Sequence, residues 1–210
     1  KLRLVTKNIP ESKSVTVLVL VGAGSRYENL EINGISHFLE HMFFKGGETY
    51  KNTKEVSEAI DGVGGEFNAF TGKEYAGYYV KVSAHHIQTA LNVLSDMMVH
   101  AKHPAEEIEK ERGVILEELN MYQDTPMYQI GWDFEKLIFG DTPLGRDTIG
   151  SKELIKTVTQ KQFQEYQDKL YTPDNIVISI VGNFDEEKIQ NQIPELFSFK
   201  DNSKSLEFEK

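Results

Sequence analysis

The sequence has 210 residues, with 33 acidic against 23 basic side chains, a formal net charge of −10, and no cysteine. Its length suffices for one large domain, and its acidity argues against nucleic acid as a partner, because phosphate backbones are gripped by clustered Lys and Arg. Without thiols there can be no disulfide, thiolate metal ligand or cysteine nucleophile, so any metal must be held by His, Asp or Glu.

No apolar run approaches the ~20 residues that span a bilayer, which leads us to expect a soluble protein. The compartment stays open: the chain begins at Lys1 without an initiator methionine, and both a bacterial cytoplasm and an organelle matrix fit.

Residues 2–6 and 14–21 read as strands joined at Asn8-Ile9-Pro10, the second too uniformly apolar to have a wet face. Gly22-Ala23-Gly24-Ser25 ends it. Asn33-Gly34 precedes a helix over 35–45, and a short helix over 53–60 is stopped by Gly62-Val63-Gly64-Gly65. Residues 66–71 and 75–83, rich in aromatics and Val, are strands. Helices over 87–100 and 105–123 follow; Asp124-Thr125-Pro126 breaks the longer one, and the helical pattern resumes over 128–139. After a loop over 140–150 come a helix over 161–170, an apolar strand over 175–181, a helix over 185–197 and a charged tail from Lys200. With no repeat and no linker, a single α+β domain over 1–210 is expected.

The stretch Ser36-His37-Phe38-Leu39-Glu40-His41-Met42-Phe43 concentrates three costly side chains in an apolar run. At about 100° per residue, His37, Glu40 and His41 project from one side of a helix, while Ile35, Leu39, Met42 and Phe43 face inward. Two imidazoles one turn apart can share one zinc, and Glu40 is then placed to take a proton from a water on that metal. The pattern His-x-x-Glu-His is the inverted zincin signature.

A third ligand must come from another element, and helical phase selects it from the glutamates of 105–123. With Ile108, Ile115, Leu119 and Tyr122 as the buried stripe, Glu111 and Glu118 lie on one edge of it, whereas Glu117 points to solvent. Glu118 is therefore the expected ligand, and Glu111, two turns earlier, the acceptor that orients a ligating imidazole. His85, His86, His100 and His103 lack a matching partner at helical spacing and are not expected to join the site.

HFLEHMFFKG at 37–46, GGEFNAFTGKEYAGYYVKV at 64–82, ERGVILEELNMYQDTP at 111–126, PLGRDTIG at 143–150 and YTPDNIVISIVGNF at 171–184 together resemble the N-terminal catalytic domain of the pitrilysin, insulysin and mitochondrial processing peptidase family of inverted zincin metallopeptidases. The resemblance implies a mixed, largely antiparallel sheet with helices mainly on one face. It implies one zinc per chain on His37, His41 and Glu118, Glu40 as general base and Glu111 beside a ligand. It further implies an edge strand, Phe67-Asn68-Ala69-Phe70, that binds an extended peptide or unfolded protein segment as an added strand. Asn68 either contacts the substrate backbone or is satisfied within its own strand.

The function so implied is zinc-dependent endopeptidase. The chain would be half of the usual two-domain unit, completed by a second copy, a different chain or a missing C-terminal domain. The competing expectation is a non-catalytic or partner-dependent subunit of a processing-peptidase-like complex.

Overall fold

The structure, a computed structural model, describes residues 1–201. Strands β1 (Arg3–Asn8), β2 (Ser14–Val21), β3 (Glu66–Thr71), β4 (Ala76–Ser83) and β5 (Ile176–Gly182) form one open sheet in the order β1-β5-β2-β4-β3. β1 runs parallel to β5, and every other neighbouring pair is antiparallel. β3 is therefore an edge strand, with one side of its backbone unpaired.

The helices are α1 (Ile35–Phe43), α2 (Thr53–Asp61), α3 (Ile87–Val99), α4 (Ala105–Gln123), α5 (Pro126–Phe139), α6 (Lys152–Thr157), α7 (Gln160–Leu170) and α8 (Glu186–Leu196). None of them is long and apolar enough to cross a membrane. Of the charged tail expected from Lys200, residues 202–210 lie outside the described residues.

The core is a layer of side chains between the sheet and these helices. Along β2, Val15, Val17, Val19 and Val21 are buried, and Val17 stands level with Val80 on one neighbour and Ile180 on the other. Ala90, Leu91, Leu94, Met97 and Met98 of α3 are buried within the same core. The intervening Thr16, Leu18 and Leu20 are only half-buried, which corrects the expectation that β2 has no wet face. Apolar composition told of a strand; it did not tell that helices would cover one side of it.

Three further departures have local causes. Pro126 opens α5 at its first position, where a missing N–H costs nothing, so the break shrinks to Asp124-Thr125. α1 stops at Phe43 rather than 45, and Gly46 then adopts φ 107, a conformation open to glycine. The short helix α6, capped by Ser151, was not anticipated, because six residues carry too little periodicity to read.

Two buried carboxylates frame α1, the element on which the site is built. Glu28 accepts the N–H groups of Gly34 (2.6 Å) and Ser36 (2.9 Å), the Ser36 hydroxyl and the Asn33 amide (3.1 Å), satisfying the otherwise unpaired start of the helix; burial raises its pKa and these four donors oppose the rise. Past the other end, Asp96 accepts the N–H groups of Glu48 (3.0 Å), Thr49 (2.9 Å) and Tyr50 (2.9 Å) and so pins the loop after α1.

Candidate metal centre

Ile35, Phe38, Leu39, Met42 and Phe43 of α1 are fully buried, so the helix is held in a fixed rotation and its remaining side, bearing His37, Glu40 and His41, opens outward. α4 crosses in front of that side. Ile108, Ile115 and Leu119 anchor α4 in the core, Glu117 is exposed, and Glu111 and Glu118 turn toward α1. Nε2 of His37 stands 3.7 Å from Glu118 Oε1, and Nε2 of His41 stands 3.4 Å from Glu118 Oε2. On its far side the His41 ring meets Glu111 through Nδ1 at 2.9 Å, and the other oxygen of Glu111 pairs with Lys45.

The titration behaviour follows from this packing. Burial, reinforced by the neighbouring His41, pushes the His37 imidazole down to about 4 against the pull of Glu118. Burial acts on His41 in the same direction, but hydrogen bonds to Glu111 and Glu118 outweigh it and hold that ring at about 9. Glu118 is lowered, first by its bond with His41; Glu111 is lowered because His41 and Lys45 overcome its burial. Glu40 moves the other way: burial raises it, although Thr71 donates to its Oε2. Positive charge is thus drawn to the His41 ring between the two carboxylates of α4, and a divalent ion bound at its Nε2, beside His37 and Glu118, would displace a proton.

Ligand atoms of His37, His41 and Glu118 all lie within 4.8 Å of one another, close to the diameter of a coordination sphere with ligand distances of ~2.0–2.2 Å. Two imidazoles with one carboxylate form a donor set of hydrolytic zinc sites, which leave a further position open. The residues therefore fit the metal. Among the described residues, no other group of three His, Cys, Asp or Glu side chains converges in this way. His100 lies 3.6 Å from Glu48, and His103 is buried against Gln167, both away from the centre.

In front of the three side chains lies a cleft of about 510 Å³, lined by His37, Glu40, Glu118, Tyr122, Tyr128, Trp132 and, from β3, Ala69, Phe70 and Thr71. The four residues expected to bind substrate are not equivalent. Ala69 and Phe70 border the cleft, whereas Phe67 packs its ring on Phe44 at 5.5 Å. Asn68 is exposed, and its Oδ1 accepts the N–H of Ala69 (2.8 Å), a local bond.

Sequence reasoning passed over Thr71, Lys45 and Tyr122. For two of them a signal existed, since Lys45 follows His41 by one turn and Tyr122 follows Glu118 by one turn. Tyr122 was counted in the buried stripe but is half-buried, edge-to-face with Tyr128 and tilted against Trp132, with ring centroids 5.2 Å apart in each pair. Nothing in the spacing pointed to Thr71, which reaches Glu40 from a different element.

The family model "Insulinase (Peptidase family M16)" matches residues 3–152. The chain belongs to this family. Residues 157–210 match a second model, "Peptidase M16 inactive domain". The two matched stretches share one sheet, because β5 of the second stretch lies between β1 and β2 of the first.

Among similar proteins is one from Bacillus subtilis named "Uncharacterized zinc protease YmxG", 41% identical over 208 residues, covering 99% of this chain and 51% of that one. An "Uncharacterized zinc protease" of Rickettsia felis is 40% identical over 197 residues, covering 94% of this chain and 48% of its own. A protease from Helicobacter pylori superposes with a TM-score of 0.91 at 25% identity, covering 98% of this chain and 50% of that structure. The periplasmic protease PqqL of Escherichia coli superposes at 0.87 and 25% identity, over 100% of this chain but 24% of that one. The chain spans about half the length of the curated relatives it matches.

Proposed function

We propose that the chain carries the catalytic site of a zinc-dependent endopeptidase acting on extended peptides or unfolded protein segments. The observation that supports this most is the approach of both Nε2 atoms to the Glu118 carboxylate, at 3.7 and 3.4 Å, beside Glu40 and an edge strand. His37, His41 and Glu118 would hold one zinc ion, whose Lewis acidity polarises a carbonyl and lowers the pKa of water toward ~7.

The chain's own groups do the rest. Glu40, as a carboxylate whose burial raises its affinity for a proton, takes one from the attacking water and passes it to the leaving amine. Thr71 fixes one oxygen of Glu40 and leaves the other for this exchange. Glu111 holds the His41 ring through Nδ1. The open edge of β3 over Phe67, Asn68, Ala69 and Phe70 grips the substrate backbone as an added strand, with Ala69 and Phe70 nearest the reacting bond.

A cleft open to water weakens charge stabilisation, so a second unit that closes it belongs to the same reading. The curated relatives carry about as much chain again, which makes a following domain of similar size the occupant we assign. A second copy or a different subunit are the other arrangements, and an unclosed site would be idle.

The test is cleavage of an unstructured peptide by the zinc-loaded chain, alone and with that second unit. Glu40→Gln is expected to keep its zinc and lose turnover by ~10²–10⁴-fold. Near-normal cleavage by the Gln variant removes Glu40 from the mechanism.

A further inference from the structure

We propose that Lys45 is a positioning residue for the metal centre: its ammonium braces the Glu111 carboxylate, and Glu111 in turn keeps Nε2 of His41 turned toward Glu118. This rests on the reading of His37, His41 and Glu118 as zinc ligands.

The two oxygens of Glu111 are divided. Oε1 meets His41 Nδ1 at 2.9 Å and Oε2 meets the Lys45 ammonium, so rotation of the carboxylate breaks one contact or the other. Both partners are shielded, with side chains 7% and 16% exposed. The Lys110–Glu107 pair one turn away on α4 makes the same kind of contact with its lysine 66% exposed, where solvent competes for both charges.

A lysine is a flexible brace unless its root is fixed, and here it is. The Lys45 N–H bonds to Met42 O at 3.1 Å at the end of α1. The next residue, Gly46, adopts φ 107, and a Cβ there would lie 2.4 Å from the Lys51 backbone, so the chain leaves α1 by a single tight route. Asp96, 4% exposed, then collects the N–H groups of Glu48, Thr49 and Tyr50 and locks that route. Lys45 thus extends the side of α1 that carries His37 and His41 by one further turn and reaches the groove between α1 and α4 from a rigid base.

A carboxylate that orients a metal-bound imidazole tunes affinity for the ion, so loosening its brace weakens metal binding without touching a ligand. The test is the zinc dissociation constant, by chelator competition, of the chain and its Lys45→Met, Lys45→Gln, Lys45→Arg and Glu111→Gln variants, with circular dichroism and thermal midpoints alongside. Lys45→Met and Lys45→Gln are expected to bind zinc roughly 10-fold more weakly, and Lys45→Arg within about threefold of the unaltered chain. In the Glu111→Gln background, Lys45→Met is expected to add nothing.

An ion pair that only ties α1 to α4 gives a different pattern: lower midpoints with an unchanged zinc constant in the folded variants. That pattern overturns the proposal, as does an additive loss in the double variant. Failure of the unaltered chain to bind zinc overturns the ligand assignment instead.

Discussion

At the scale of single residues, His103 illustrates what a side chain's surroundings decide and its sequence neighbours do not. It is 1% exposed, between the rings of Phe43 and Phe163. Gln167 donates from Nε2 to Met98 O (2.9 Å), which leaves Oε1 to accept the Nε2–H of His103 (2.8 Å). Nδ1 is buried with no partner, so a second proton on the ring has nowhere to go. Burial accordingly lowers its pKa, despite the bond with Gln167.

The sign follows: the unfolded chain binds this proton near pH 6.5 and the folded one only at lower pH, so stability is complete above 6.5 and falls as pH drops below it. Urea titrations from pH 7.5 to 5 are expected to show this fall, to which the lowered His37 adds, and His103→Asn to make it shallower whatever its absolute stability. An equal slope in both proteins refutes it. The sequence separated His37 and His41 from the other histidines by their helical spacing, yet it could not place His103, because that spacing speaks only of neighbours along one helix. Thr71 escaped notice for the same reason.

Among the elements, α1 and α4 were the most legible, since long or strongly patterned helices declare their buried side; the phase that set Glu118 apart from Glu117 is the phase observed. α5 was read correctly as a helix and incompletely as a surface. Met127, Ile130, Phe134, Leu137 and Ile138, 56–82% exposed, form one apolar stripe about 100° wide, while Trp132 on the opposite side packs on Tyr122. The sequence reading gave the helix but not what its apolar residues face, and here they face away from the core.

If the stripe awaits a following domain, the chain alone sediments as a monomer at micromolar concentrations. Ile130→Ser and Leu137→Ser should then each change its unfolding free energy by less than about 0.5 kcal/mol. A dimer dispersed by these substitutions would assign the stripe to a second copy. A cost of about 2–5 kcal/mol would show that it packs within the chain.

At the scale of the whole molecule, the class of fold was legible because strands and helices announced themselves in order, and the separated motifs carried the family. Strand order was not: β5, from the last third of the chain, enters the sheet between β1 and β2, a non-local pairing that no window of sequence displays. That topology also brings together one site from distant stretches, with two imidazoles on α1, a carboxylate on α4 and an open edge on β3.

The central claim is that α1 and α4 share one ion, and zinc content after desalting measures it most directly. One equivalent is expected for the unaltered chain and for Glu117→Gln, and essentially none for Glu118→Gln. A full equivalent in Glu118→Gln, or its loss in Glu117→Gln, would contradict the claim.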